Sequence, residues 1–163
     1  MARIPYAPPE NPGADHSLNL FRMLAHSPPT LAGFGRLGGA LLQDGTLDPR
    51  LRELAIVRVG LLAGADYEVE KHTVIARAMG LSEAELAALR VGADPGALDE
   101  AGQAVRGLAD ELFHGIRASD AALAAVQRHL DHRQVVELVV TIGFYGLVCR
   151  VLETLGVDKE ARS

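Results

Sequence analysis

Residues 48–64 read DPRLRELAIVRVGLLAG, and this stretch decides the fold. Asp48 followed by Pro49 is typical of a helix start, because Asp caps the first free N–H groups and Pro fits the first helical position. Gly64 suits the left-handed position that commonly ends a helix. After Glu53 the stretch is apolar almost all the way round, so it predicts a helix buried in the centre of an all-α domain.

Helix signals continue on both sides of this stretch. They predict further helices over about 17–25, 30–43, 65–79, 82–90, 99–113 and 120–129, and a last one from 131 or 132 to 155. Ser82 and Glu85 have the spacing of a capping box. Four of the eight prolines fall between residues 5 and 12, where they favour an extended backbone. We therefore predict a Pro-rich N-terminal arm over 1–16 and a single all-α domain over 17–163.

Composition excludes several classes of function. The 163 residues carry 16 Lys+Arg against 21 Asp+Glu, a balance that argues against a nucleic-acid partner. The single cysteine, Cys149, rules out an intramolecular disulfide and a CxxC redox pair. The longest apolar run, 135–148, is too short to cross a bilayer, and the N-terminus lacks an apolar signal segment. We expect a cytoplasmic protein with no membrane partner and, since no third ligand accompanies the histidines, no metal.

The helix over 65–79 places one histidine on its apolar face. The core-facing stripe at spacings of three and four consists of Ala65, Val69, His72, Ala76 and Met79. Glu68 lies one turn before His72. With Glu53 from the buried helix, these groups would form a proton-transfer site. In that interpretation His72 gives or takes the proton, Glu53 orients it, and Glu68 lines the pocket.

Each of these residues has a structural alternative. His72 would otherwise be a hydrogen-bonded core histidine. Glu53 would otherwise pair with Arg50, and Glu68 would be a solvated neighbour of Lys71. Arg58, on a largely apolar helix, needs either a substrate anion or a buried carboxylate.

Three segments of the chain resemble the carboxymuconolactone decarboxylase / alkyl hydroperoxidase D superfamily. They are LRELAIVRV at 51–59, GADYEVEKH at 64–72 and IARAMGLS at 75–82. In the hydroperoxidase branch, the positions that correspond to 53, 65, 68 and 72 hold Glu, Cys, Cys and His. There the cysteines reduce peroxide, and the Glu and His relay protons. The resemblance implies an alkyl hydroperoxidase D-like helical domain.

The chain departs from the hydroperoxidase pattern at both cysteines, where it has Ala65 and Glu68. Neither side chain can do thiol chemistry. The resemblance to thiol-less members implies a lyase-like acid–base enzyme, without cofactor, that acts on a small organic acid or lactone. The expected catalytic residues are His72, Glu53 and Glu68, and the expected substrate-binding residues are Tyr67, Arg58 and Tyr145. The alternatives are a peroxidase-related protein, using Cys149 or a partner thiol, and a catalytically inactive oligomeric binding module.

Two predicted helices, over 49–63 and 132–155, are apolar nearly all the way round. A domain of this size can centre one such helix, so the second is expected to expose an apolar face. This pattern favours a homo-oligomer, and the family resemblance implies a trimer or a hexamer. The alternative is that the two helices cover each other.

Overall fold

The computed structural model describes residues 1–160, which form eight α-helices, one 3-10 helix and no strand. The helices are α1 (Asn19–Leu24), α2 (Pro28–Gln43), α3 (Pro49–Ala63), α4 (Asp66–Ala78), α5 (Glu83–Ala88), α6 (Glu100–His114), α7 (Asp120–Gln127) and α8 (His132–Leu155). The 3-10 helix covers Pro95–Ala97. The predicted all-α class is confirmed.

Local capping signals set the helix boundaries where the sequence placed them. The Asp48 carboxylate accepts hydrogen bonds from the backbone N–H groups of Arg50 and Leu51 and so begins α3. Gly64 ends α3 with a φ of 65°, which an L-residue adopts only at a cost. The predicted capping box between Ser82 and Glu85 is present at the start of α5.

Three details differ from the sequence-based predictions. Met79 was placed on the core-facing stripe, but it is 40% exposed; α4 ends at Ala78, and Gly80 turns the chain away with a φ of 97°. Helix α2 begins two residues earlier than predicted, because Pro28 and Pro29 fit its first turn. The predicted loop after α5 contains the 3-10 helix.

The described chain divides into two compact units, and the first comprises residues 1–44 together with 150–160. In this unit the N–H of Arg3 donates to the Leu155 carbonyl at 2.8 Å. The Tyr6 hydroxyl donates to the Asp158 carboxylate at 3.3 Å. The Pro-rich segment is therefore hydrogen-bonded to the end of its own chain. The predicted division into an arm (1–16) and one domain (17–163) stays a prediction, and residues 161–163 lie outside the described part of the chain.

The second unit, residues 45–149, is organised around α3. Ten consecutive α3 residues, 51–60, are buried, and α4 and α6 pack against them. This confirms the prediction of a central helix. Because every side of α3 is covered by protein, any charged side chain in that run is taken out of water and needs a partner.

Helix α8 covers His132–Leu155, as predicted. Its 24 residues are long and apolar enough to cross a membrane by length and composition. The apolar run 135–148, expected to be too short to cross a bilayer, is only part of this longer apolar helix. Core helices of soluble proteins have the same properties, and 56% of the apolar window of α8 is buried inside the protein.

Candidate active site

Two carboxylates hold one imidazole between α3 and α4. His72 Nδ1 lies 2.7 Å from Oε2 of Glu53, and His72 Nε2 lies 3.0 Å from Oε1 of Glu68. Glu53 is completely buried, and Glu68 and His72 are nearly so. The predicted contact between Glu53 and His72 is confirmed, at a distance that permits direct proton transfer.

Close packing of α3 on α4 gives this arrangement its geometry. Glu68 and His72 lie one turn apart on α4, so their side chains share a face. Opposite them on α3 is Gly60, where a Cβ atom would lie 3.0 Å from Cγ2 of Val69 and 3.7 Å from Cβ of Glu68. The missing side chain lets α4 approach α3 closely enough to bring Glu68 into the site.

The paired carboxylates favour the protonated form of His72. An imidazole that donates to a carboxylate from both nitrogens carries two protons and a positive charge. Burial by itself lowers the pKa of His72, but the hydrogen bonds to Glu53 and Glu68 and their negative charges outweigh it and raise the pKa to about 9. His72 is therefore an imidazolium ion at neutral pH.

Arg52 is a fourth charged group in the site, and our sequence analysis did not select it. Its Nε lies 3.4 Å from Oε1 of Glu53, and its side chain is only 9% exposed. The positive charges of Arg52 and His72 balance the two carboxylates of the cluster. The signal was available, because Arg52 stands in the same buried run of α3 as Glu53.

Tyr145 completes the cluster from α8. Its ring packs edge to face against His72, with the centroids 4.9 Å apart, and the Phe144 ring supports it at 5.4 Å. Burial, together with the negative charges of Glu68 and Glu53, raises the pKa of Tyr145 far above its ordinary value. Its hydroxyl therefore stays protonated and can act only as a neutral donor or acceptor.

Two of the predicted substrate-binding residues, Arg58 and Tyr67, contact groups other than Glu53, Glu68 and His72 in the described structure. The Arg58 guanidinium donates to both oxygens of Asp110, at 2.5 and 2.9 Å, and to the Leu89 carbonyl at 2.6 Å. This is the structural ion pair that the sequence left as the alternative, so we leave Arg58 out of the candidate site. Tyr67 is buried, with the Lys71 ammonium 5.8 Å from its ring centroid.

A cavity of about 180 Å³ opens between α3, α4 and α5. Arg77 and Glu83 stand in its lining and form an ion pair at 2.5 Å. Glu53, Glu68 and His72 do not line this cavity, so it is distinct from the candidate site. Among residues 1–160, no group of three His, Cys, Asp or Glu side chains is arranged to hold a metal ion.

The sequence model of the carboxymuconolactone decarboxylase family matches residues 28–111, which is just over half of the chain. This segment includes Glu53, Glu68 and His72. The chain belongs to the carboxymuconolactone decarboxylase family. Its membership confirms the resemblance stated from the sequence. No match was found among curated proteins.

Solved structures confirm the alkyl hydroperoxidase D-like fold of this family member. A protein of unknown function from Agrobacterium tumefaciens, described as a putative antioxidant defence protein AhpD, superimposes with a TM-score of 0.77 at 20% identity, over 85% of this chain and 96% of its own. An uncharacterised peroxidase-related protein from Ralstonia eutropha gives 0.75 at 23% identity, over 88% and 77%. A cysteine-to-alanine variant of the debrominase Bmp8, in complex with 2,3,4-tribromopyrrole, gives 0.75 at 15% identity, over 99% and 95%.

The only thiol of this family member is not at position 65 or 68. Cys149 is buried on α8 and is the only cysteine in the chain. Ala65 is completely buried just before α4, and its methyl group offers no nucleophile. The chemistry of the site therefore depends on its carboxylates, imidazole and guanidinium.

Proposed function

We propose that this protein is an acid–base enzyme of the decarboxylase or lyase type that acts, without a cofactor, on a small organic acid or lactone. The observation that carries the proposal is the buried imidazolium held on both nitrogens by carboxylates from two helices. Each step from Glu53 to His72 to Glu68 is within hydrogen-bond reach, which supports a proton relay.

The geometry favours Glu68 as the group that exchanges a proton with the substrate. Both nitrogens of His72 are engaged, and Glu53 is completely enclosed. Oε1 is the Glu68 oxygen that contacts His72, so Glu68 is the end of the chain of contacts that begins at the enclosed Glu53. In this proposal the His72 imidazolium passes its Nε2 proton to the Glu68 carboxylate, and Glu68 delivers that proton to the substrate carbon. The ring then regains a proton from solvent, and Glu53 orients the imidazole. This refines the assignment from the sequence, which gave the direct role to His72.

Decarboxylation suits such a site on two grounds. As the bond to the departing carboxylate breaks, its electron pair stays on the adjacent carbon, and that carbon takes up the proton while CO₂ leaves. An acid must therefore stand beside the carbon. A poorly solvated environment also assists the loss of a charged carboxylate. In this proposal the Tyr145 hydroxyl donates a hydrogen bond to a substrate oxygen, and the steps proceed without a cofactor.

Turnover of a panel of small unsaturated carboxylic acids and lactones tests this proposal, measured as CO₂ release or ring opening with and without a chelator. Replacing Glu68 by Gln is expected to reduce kcat by about a hundredfold or more, the usual contribution of a general acid. Glu70→Gln, an exposed residue on the same helix, is the matched control and should keep the wild-type rate. No turnover anywhere in the panel, or equal rates for the two variants, would contradict the proposal.

Peroxidase-related chemistry is the second candidate, since one structural neighbour is described as peroxidase-related and another as a putative antioxidant defence protein. Those neighbours are less than 25% identical to this chain and support only the common fold. The absence of cysteine at positions 65 and 68 argues against thiol peroxidase activity. We therefore rank it below the acid–base enzyme.

We also propose that the protein assembles as a homo-oligomer, a trimer or a hexamer, in the cytoplasm. An exposed apolar stripe on α8 supports assembly, because contiguous apolar surface of this kind marks interfaces. The stripe consists of Val136, Val139, Val140 and Leu147. Gly143 stands within it, with open space where a Cβ would be, so a second backbone can approach closely. A catalytically inactive binding module would carry the same apolar stripe, so the turnover assay distinguishes the enzyme from the binding module.

A further inference from the structure

Arg52 has more hydrogen-bonding capacity than the protein uses. Its side chain is about nine-tenths buried, and Nε makes one long contact, 3.4 Å, with Oε1 of Glu53. The two terminal nitrogens, Nη1 and Nη2, make no hydrogen bond to any atom of residues 1–160. They are also absent from the fully enclosed polar atoms that lack partners in that part of the chain. The end of the guanidinium therefore faces a space that solvent can enter.

A buried guanidinium with four unpaired N–H groups is costly unless something else satisfies them. Arg58, by contrast, uses all three of its side-chain nitrogens to bind both oxygens of Asp110 and the Leu89 carbonyl. The planar fork of Nη1 and Nη2 matches the two oxygens of a carboxylate, which it binds in a bidentate manner. The unpaired fork of Arg52 thus has the chemistry of a carboxylate receptor.

The position of Arg52 connects this receptor to the proton relay. One carboxylate joins them, because Oε1 of Glu53 contacts Arg52 and Oε2 of Glu53 contacts His72. The positive charge of Arg52 also acts on Tyr145, where it opposes the effect of the two carboxylates on the hydroxyl. Arg52 is therefore coupled to His72 through the shared Glu53 carboxylate and to Tyr145 through its charge.

We propose that Arg52 binds the carboxylate of the substrate and makes the site selective for small organic anions over neutral molecules. This inference rests on the proposed function and names the residue that sets its specificity. Without Arg52, the two carboxylates of the relay would repel an anionic substrate. With Arg52 and protonated His72, the four charged groups are balanced, and the site can accept one further negative charge.

Binding is tested on protein carrying ¹⁵N-labelled arginine, titrated with benzoate and succinate and, as neutral analogues, with benzamide and succinamide. The Nε–Hε resonance of Arg52 should shift saturably with the carboxylates and not with the amides. Arg52→Lys keeps the charge but loses the fork, and Arg52→Gln loses both. Measured by calorimetry, the Kd of the carboxylates should rise about tenfold or more in each variant, the usual effect of losing a charge-assisted hydrogen bond.

Arg50→Lys is the matched control, because Arg50 lies on the same helix and pairs with Glu85 and Asp99 instead. Its carboxylate affinity should equal that of the wild type. The inference is overturned if neither carboxylate gives a saturable shift, or if Arg52→Lys binds them as the wild type does. Should Arg52→Gln fail to fold, the conservative Lys variant decides alone.

Turnover separates this inference from the proposed function. Carboxylate binding through Arg52 without turnover of any tested acid would leave the inference standing and refute the proposed function. Turnover that persists in Arg52→Lys with an unchanged KM would support the proposed function and refute the inference. An increased KM with kcat largely retained is the result expected when both are correct.

Discussion

Deprotonating His72 should destabilise the folded protein at alkaline pH. The pKa of His72 rises from 6.5 to about 9 on folding, because Glu53 and Glu68 bind the charged ring. Between these two values the folded state holds a proton that the unfolded state has lost, so the free energy of unfolding falls as pH rises. The contribution is fully present below pH 6.5 and is lost once pH passes about 9.

The size of this loss in the free energy of unfolding follows from the change in the pKa of His72 on folding. One pKa unit corresponds to about 1.4 kcal/mol, so the contribution of His72 amounts to roughly 3 kcal/mol across this window. That is a large fraction of the stability of a small domain. The slope should approach 1.4 kcal/mol per pH unit in the middle of the window, where one proton separates the two states.

Urea denaturation at pH 6.5, 7.5, 8.5 and 9.5 measures this slope for the wild type and His72→Gln. The wild type should lose stability with pH, and the variant should lose much less, since it has no proton to release. His129→Gln, an exposed histidine on the same chain, should keep the wild-type slope. Equal slopes for the wild type and His72→Gln, or an NMR titration midpoint for His72 below pH 7, would refute the reasoning.

Three further predictions follow from the packing and the composition. The protein should not turn over hydroperoxides with a dithiol reductant; a robust rate that disappears in Cys149→Ser would show otherwise. Gly60→Ala should lower the free energy of unfolding by about 1–3 kcal/mol, because the added methyl group overpacks against Val69. The control Gly107→Ala, in open space on α6, should be neutral or stabilising by up to about 1 kcal/mol. Equal melting temperatures for the two variants would contradict the tight α3–α4 contact. Light scattering should give about three or six times the 17.3 kDa of one chain, and a mass near 17.3 kDa would disprove assembly.

Much of the fold was predictable because its signals are local. Asp48, Pro49 and Gly64 each act within one turn of their own position, so the sequence alone specifies both ends of α3. Met79 shows the limit of this reasoning. The stripe that contains it is periodic, but Gly80 ends the helix, and periodicity does not report where the helix stops.

The candidate site was predictable where a charged residue had to be buried and where the family pattern fixed the spacing. Glu53 and His72 satisfy both conditions, and they meet in the structure. The surroundings of Arg58 were not predictable, because Asp110 lies 52 residues further along the chain and nothing local links the two. Arg52 was not predicted although it occupies the same buried run of α3. The prediction at this turn of α3 selected an acid–base group, the neighbouring Glu53.

The measurement that tests the central claim most directly is deuterium incorporation into product carbon, followed by NMR during turnover of small unsaturated acids and lactones in D₂O. If Glu53, His72 and Glu68 relay a proton to the carbon that loses CO₂, that carbon acquires one deuterium from solvent. Incorporation should fall by about a hundredfold or more in Glu68→Gln and in His72→Gln and persist in the Glu70→Gln control. Product that forms without deuterium at that carbon, or incorporation that survives in His72→Gln at the wild-type rate, would contradict the proton relay.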